Sequence, residues 1–127
     1  MKLPKELLFL ENYLKAVQDI VPLERILSIK LYKYRECFPE HFALIERQGN
    51  NKSFKIILRV YQPAKNRKML DPLDQYAVLN HLAHELSHIL IWEEDEPERV
   101  YLEAKIFMRF ARLLRRRGYE QTRTKTN

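Results

Sequence analysis

The chain predicts an α+β fold: an N-terminal helix, a small, antiparallel sheet of about three strands, then two antiparallel helices. Apolar residues recur at helical spacing near the N-terminus and again through the C-terminal half. Between them lie three short segments rich in β-branched and aromatic residues. The chain has only two glycines, Gly49 and Gly118, and both fall where these elements must turn or stop. At 127 residues, 46% apolar and 31% charged, it has the length of one domain with a modest core. We expect that domain to span residues 1–118, followed by a disordered basic tail over 119–127.

The first helix is expected over residues 4–20, with Leu7, Leu10, Leu14 and Val17 on its buried face. Pro4 suits a first helical turn and Val21-Pro22 suits an end. Residues 25–36 (RILSIKLYKYRE) alternate apolar and polar as a strand does, although Ile26, Ile29 and Lys30 also fit a continued helix. Residues 42–47 (FALIER) and 53–61 (SFKIILRVY) supply two more strands. Gln48-Gly49-Asn50-Asn51 between them reads as a hairpin turn, since glycine and asparagine tolerate positive φ.

Residues 63–69 form a basic loop, after which Asp71-Pro72 gives an N-cap and a proline at the first position of a helix. That helix should run to about Glu93 or Glu94. Its stretch 76–92 (YAVLNHLAHELSHILIW) holds no Lys, Arg or Asp and is apolar nearly all round, as a buried helix is. Asp95-Glu96-Pro97 breaks it and starts a last helix over 97–117, stopped by Gly118.

The chemistry sits in His84-Glu85-Leu86-Ser87-His88, an HExxH pattern. Residues at i and i+4 share a helical face, with Cβ atoms roughly 5–6 Å apart, so both imidazoles can converge on one metal ion. Glu85 shares that face and can reach a metal-bound water, where a general base is needed. His81 falls on the same arc. A carboxylate and imidazoles on a buried helix cost several kcal/mol each unless paired or metal-bound.

Catalytic zinc usually takes three protein ligands plus water. All four histidines are at 41, 81, 84 and 88, and Cys37 is the single cysteine, so the third ligand should be a carboxylate. Glu103 is favoured. A turn centred near Asp95-Glu96 returns it to the height of His88, and it keeps register with Val100, Phe107, Phe110 and Leu114. Glu98, His81 or an incomplete site are the alternatives. Glu93, Glu94, Asp95 and Glu96 read as a solvated turn.

HELSH followed by a helical glutamate resembles the gluzincin group of zinc metallopeptidases. Glu103-Ala104 within LEAKIFMRFARLL resembles the Glu-Ala-Asn…Phe-Ala…Leu-Leu helix of the repressor-cleaving peptidases of mobile elements. The compact size is more like the single-domain minigluzincins. The resemblance covers about residues 73–114 and implies a zincin-like fold, a Zn2+ ion held by His84, His88 and Glu103, and Glu85 as base. Lys105 stands where that family carries asparagine, and Ser87 where it carries glycine. Tyr101, Tyr119 and His81 are the candidates beyond the motif for steadying an oxyanion.

The expected reaction is peptide hydrolysis, with Glu85 taking a proton from water and passing it to the leaving amine. The partner would be an extended or unstructured peptide segment laid along a sheet edge, with 53–61 a candidate strand. The alternative is a non-catalytic zincin-like module with a structural or vestigial metal. The net charge of +6 is concentrated in Arg109, Arg112, Arg115, Arg116, Arg117, Arg123 and Lys125. That allows nucleic-acid binding through the last helix and tail, or simply cations at a helix C-terminus. No apolar run has membrane-spanning length, and the lone cysteine fits a cytoplasmic protein.

Overall fold

The computed structural model describes residues 1, 3–33, 43–49, 52–60 and 72–125. Cys37, His41, the loop 63–69 and the cap at Asp71 lie outside them. The fold is α+β, with α1 (Leu10–Ala16), β1 (Ile26–Lys33), β2 (Ala43–Gln48), β3 (Ser53–Val60), α2 (Pro72–Leu90) and α3 (Pro97–Lys125) in chain order.

The N-terminal helix is shorter than its apolar pattern. It opens with a 3-10 turn, Lys5–Leu7, and ends at Ala16 because Val17 leaves helical geometry at φ −119°. Leu7, Leu10, Leu14 and Val17 are all buried, and Tyr13 joins them. Turns then carry the chain to Pro22, and a second 3-10 turn, Leu23–Arg25, leads directly into β1. The strand reading of this segment therefore holds over the helical one.

The sheet is mixed, not antiparallel. Strand order is β1-β3-β2, with β1 parallel and β2 antiparallel to β3. Phe54, Ile56 and Leu58 of β3 are buried, whereas β1 and β2 carry exposed Lys30 and Glu46, and the most apolar strand takes the centre. One row of partners runs Ile29–Ile56–Ile45 across all three strands. With both its edges paired, β3 cannot accept an added peptide strand; the sheet's edges are β1 and β2.

The β2–β3 hairpin closes with Gln48 opposite Ser53. Gly49 has φ +58°, and a Cβ there would meet nothing within 4 Å, so its requirement is conformational rather than steric. Gly49→Ala should cost about 1 kcal/mol in urea denaturation, the penalty of a non-glycine residue in left-handed geometry.

The helix α2 packs on β3 and β2 and against α3, which also contacts α1. Ser87 with Arg99, His84 with Glu103, and Tyr76 with Phe107 step in opposite directions along α2 and α3, so the pair is antiparallel. Two boundaries differ from expectation. The helix α2 stops at Leu90, because Trp92 leaves it to lie against Phe54 and under the Arg47 guanidinium. The helix α3 runs through Gly118 to Lys125: one interior glycine costs about 1 kcal/mol, and no proline follows. Among the described residues, no helix is long and apolar enough to cross a membrane.

Candidate metal centre

Val78, Leu79, Leu82, Ala83, Leu86 and Ile89 bury the face of α2 that meets the core. At the border of that face lie buried Glu85 and His88 and half-buried His81 and His84. The motif thus occupies the seam between α2, α3 and the six residues that join them.

The hydrogen bonds set the tautomers of both imidazoles. His88 Nδ1 lies 2.8 Å from the Trp92 carbonyl oxygen. A carbonyl only accepts, so Nδ1 carries the hydrogen, and in the neutral ring Nε2 holds the lone pair. His84 Nδ1 donates to Glu103 Oε1 at 2.6 Å, and the same oxygen accepts from Arg99 Nη1 at 2.7 Å. The two Nε2 atoms face one another 3.3 Å apart. Glu94 spans them, with Oε1 3.2 Å from His84 Nε2 and Oε2 2.8 Å from His88 Nε2.

Two lone pairs and a carboxylate aimed at one point repel unless a cation lies among them. A proton on one ring would serve, and so would a metal ion. The 3.3 Å between the nitrogens is close to the separation of two ligands on a tetrahedral metal ion, and the 2.8 Å from His88 Nε2 to Glu94 is the length of a proton-bridged contact. One donor atom from each of His84, His88 and Glu94 lies within 4.8 Å of the others, so the group can hold a metal ion.

Glu103 is brought to the site, but to the other side of His84. It meets Nδ1 rather than the Nε2 atoms, and within this geometry it is the outer partner of a histidine, not a member of the converging group. The physical reason is the length of the turn. With α2 ending at Leu90 and α3 starting at Pro97, the hairpin centre falls near residues 93–94, which returns Glu103 to His84 instead of His88. Glu94, expected to be solvated turn, fills the place beside Nε2 while remaining 60% exposed. Glu98 and Tyr101 are exposed on α3, and the Tyr119 side chain lies outside the described ones. His81 is not in the converging group; burial, then the nearby His84, pushes its pKa down.

Arg99 completes the arrangement. It is buried, 4% exposed, on the stripe of α3 that continues through Glu103, Ile106 and Phe110; Val100, expected there, is exposed. Arg99 Nε donates to the Glu94 carbonyl oxygen at 2.8 Å, and Nη1 to Ser87 Oγ at 2.9 Å as well as to Glu103. Ser87 Oγ itself donates to the His84 carbonyl at 2.6 Å. A small side chain at position 87 leaves room for that guanidinium.

Charge at the site is finely divided. Burial pushes the Glu85 carboxyl up from 4.5 to about 7, with His84 and Arg99 opposing the rise and Glu94 and Glu103 adding to it. For Glu94, burial favours a rise, but His84, His88 and Arg99 together hold its carboxyl below the usual range.

Glu94 and Arg99 are the site residues that pattern reading missed, and each left a signal. A six-residue connection must pass close to the end of α2 where His88 sits, which puts any acid in it within reach. Arg99, Glu103, Ile106 and Phe110 share helical register, so an arginine stood on a core stripe four residues before a glutamate. The basic helix divides too: Arg109 bonds the Ala16 carbonyl and Asp19, tying α3 to the segment after α1, whereas Arg112, Arg115 and Arg116 are exposed. Comparison of the chain with protein families, curated proteins and solved structures finds no match.

Proposed function

We propose that the protein is a zinc-dependent metallopeptidase. The observation that carries this reading is the convergence of two imidazole Nε2 atoms, 3.3 Å apart, with a carboxylate across them and a buried glutamate next in sequence to the first histidine of the motif. His84, His88 and Glu94 would hold the ion. Bound zinc supplies Lewis acidity, which makes water a better nucleophile near neutral pH and polarises a carbonyl. Glu85 holds and moves the proton: a carboxyl that titrates at about 7 can take it from water and release it to a leaving amine. Trp92 and Glu103 keep the two rings in the Nδ1–H tautomer, so both Nε2 atoms stay available.

The resemblance of HELSH to the gluzincins supports the same reading, although the Nδ1 contact of Glu103 departs from a ligand role for it. Among the described strands, β1 and β2 offer the free edges along which an extended peptide could lie. In this proposal the protein works on unstructured peptide segments in the cytoplasm.

The test is hydrolysis of an unstructured protein by zinc-loaded chain. Cleavage should disappear with a chelator, return with zinc, and be absent from His88→Ala. Cleavage that survives both removal of metal and loss of His88 sinks the proposal. The exposed Arg112, Arg115 and Arg116 favour a second reading, a nucleic-acid-binding module with a structural metal. Salt-sensitive DNA or RNA binding retained by His84→Ala, with no hydrolysis by the parent, would select it.

A further inference from the structure

We infer that Arg99 is a positioning residue that sorts the two glutamates at the metal centre, keeping Glu103 behind His84 and presenting Glu94 in front. The inference rests on the metal-binding reading above and assigns which carboxylate does what within it.

Two glutamates lie close enough to His84 to compete for the same ion, and they are not equivalent. Glu103 Oε1 is shared between His84 Nδ1 at 2.6 Å and Arg99 Nη1 at 2.7 Å. A carboxylate oxygen held by two donors from opposite partners is restrained on the far side of the ring. From there it polarises His84 and fixes its orientation, as outer carboxylates do for metal-bound histidines. Glu94 is restrained differently. Arg99 Nε takes its backbone carbonyl at 2.8 Å, while Nη2 stands 3.9 Å from its side chain. The main chain is therefore tethered and the carboxylate is left to span both Nε2 atoms.

One guanidinium makes both restraints, and it is built in. Arg99 is 4% exposed, and Ser87 Oγ accepts a third bond from it at 2.9 Å inside the HExxH turn. The planar fork reaches three acceptors from one position, and a lysine offers no equivalent geometry. The two carboxylates also differ in exposure, 29% for the Glu103 side chain and 60% for that of Glu94. The solvent-facing one can leave and return without opening the helix pair. Glu94 is therefore the exchangeable ligand, on the face where a substrate must arrive, and Glu103 is the permanent brace.

The experiment measures zinc affinity of the full chain by competition with a chromophoric chelator, and the visible spectrum of its cobalt(II) form. Glu94→Gln should weaken zinc binding by 100-fold or more and change the cobalt bands, because a donor atom is lost. Glu103→Gln should weaken it by about 10–100-fold, the size of an outer-partner effect, with the cobalt bands retained. Arg99→Met should weaken binding at least as much as Glu103→Gln, and adding Glu103→Gln to it should cost little more, since the brace is already gone. Arg99→Lys should recover less than half of the logarithmic loss. Urea denaturation of each metal-free variant shows whether it is folded. Should Arg99→Met fail to fold, Arg99→Lys carries the test of the guanidinium, and zinc affinity equal to the parent's in a folded Arg99 variant overturns the inference. If Glu103→Gln abolishes binding as His84→Ala does while Glu94→Gln binds like the parent, the sorting is reversed and the inference fails. Equal, unchanged affinity in both glutamine variants also overturns it. A parent chain that binds neither zinc nor cobalt removes the metal reading itself, and this inference with it.

Discussion

For the metallopeptidase proposed above, Glu85→Gln should leave zinc bound and lower peptide hydrolysis by about 10²–10⁴-fold, the usual contribution of a positioned general base. Glutamine keeps the shape of the side chain and its place on α2 but cannot carry a proton from water to an amine. The same substitution stabilises the metal-stripped protein. Burial raises the folded-state carboxyl from 4.5 to about 7, so the unfolded chain ionises first. Stability therefore falls as pH rises from about 4.5 through 7 and stays reduced above that, by roughly 3 kcal/mol. Glutamine does not titrate. Its advantage over the parent should be below about 1 kcal/mol at pH 5 and near 3 kcal/mol at pH 8 in urea denaturation with chelator present. A variant that hydrolyses peptide like the parent removes Glu85 as the base. A stability difference that does not grow with pH shows that its carboxyl is not strained in the fold.

Phe110→Ala costs about 3–5 kcal/mol of stability, the range for truncating a buried phenylalanine. Phe110 is fully buried and meets Tyr13 edge-on at 5.8 Å, which makes it a pin between α3 and α1. Its loss leaves a cavity between α3 and α1, beside the buried Tyr13 ring. Domains of this kind are stable by only about 5–15 kcal/mol, so the effect removes a large share of the total. The measurement is urea denaturation of the metal-free chain; a change under 1 kcal/mol would mean that α1 re-packs freely on α3. Because Arg99 and Glu103 lie on the same helix, zinc affinity should fall along with the fold.

Much of the architecture was legible because it follows from local periodicity. The buried face of α1, the hairpin at Gly49, the proline start of α2 and the break at Pro97 each depend on residues close in sequence. What went astray depended on contacts between elements. The parallel pairing of β1 with β3 is a choice of neighbour that alternation within one strand does not encode. The exposure of Val100 and burial of Arg99 reverse a hydropathy reading because three acceptors, on Ser87, Glu94 and Glu103, satisfy the guanidinium.

The candidate site divides along the same line. His84, Glu85 and His88 were set by sequence alone, since one helical turn puts two imidazoles and a carboxylate on a shared face wherever the helix lies. Only the tertiary structure decided how the glutamates are used. The end of α2 at Leu90, with Trp92 drawn onto Phe54, moves the hairpin centre from Asp95-Glu96 back to Glu93-Glu94. Doubled across the pair, that shift is the step from His88 to His84, about one helical turn, and it sends Glu103 to Nδ1 of His84 and leaves Nε2 to Glu94. Spacing within a helix is local geometry; register between two helices is the outcome of packing, and packing placed the carboxylates.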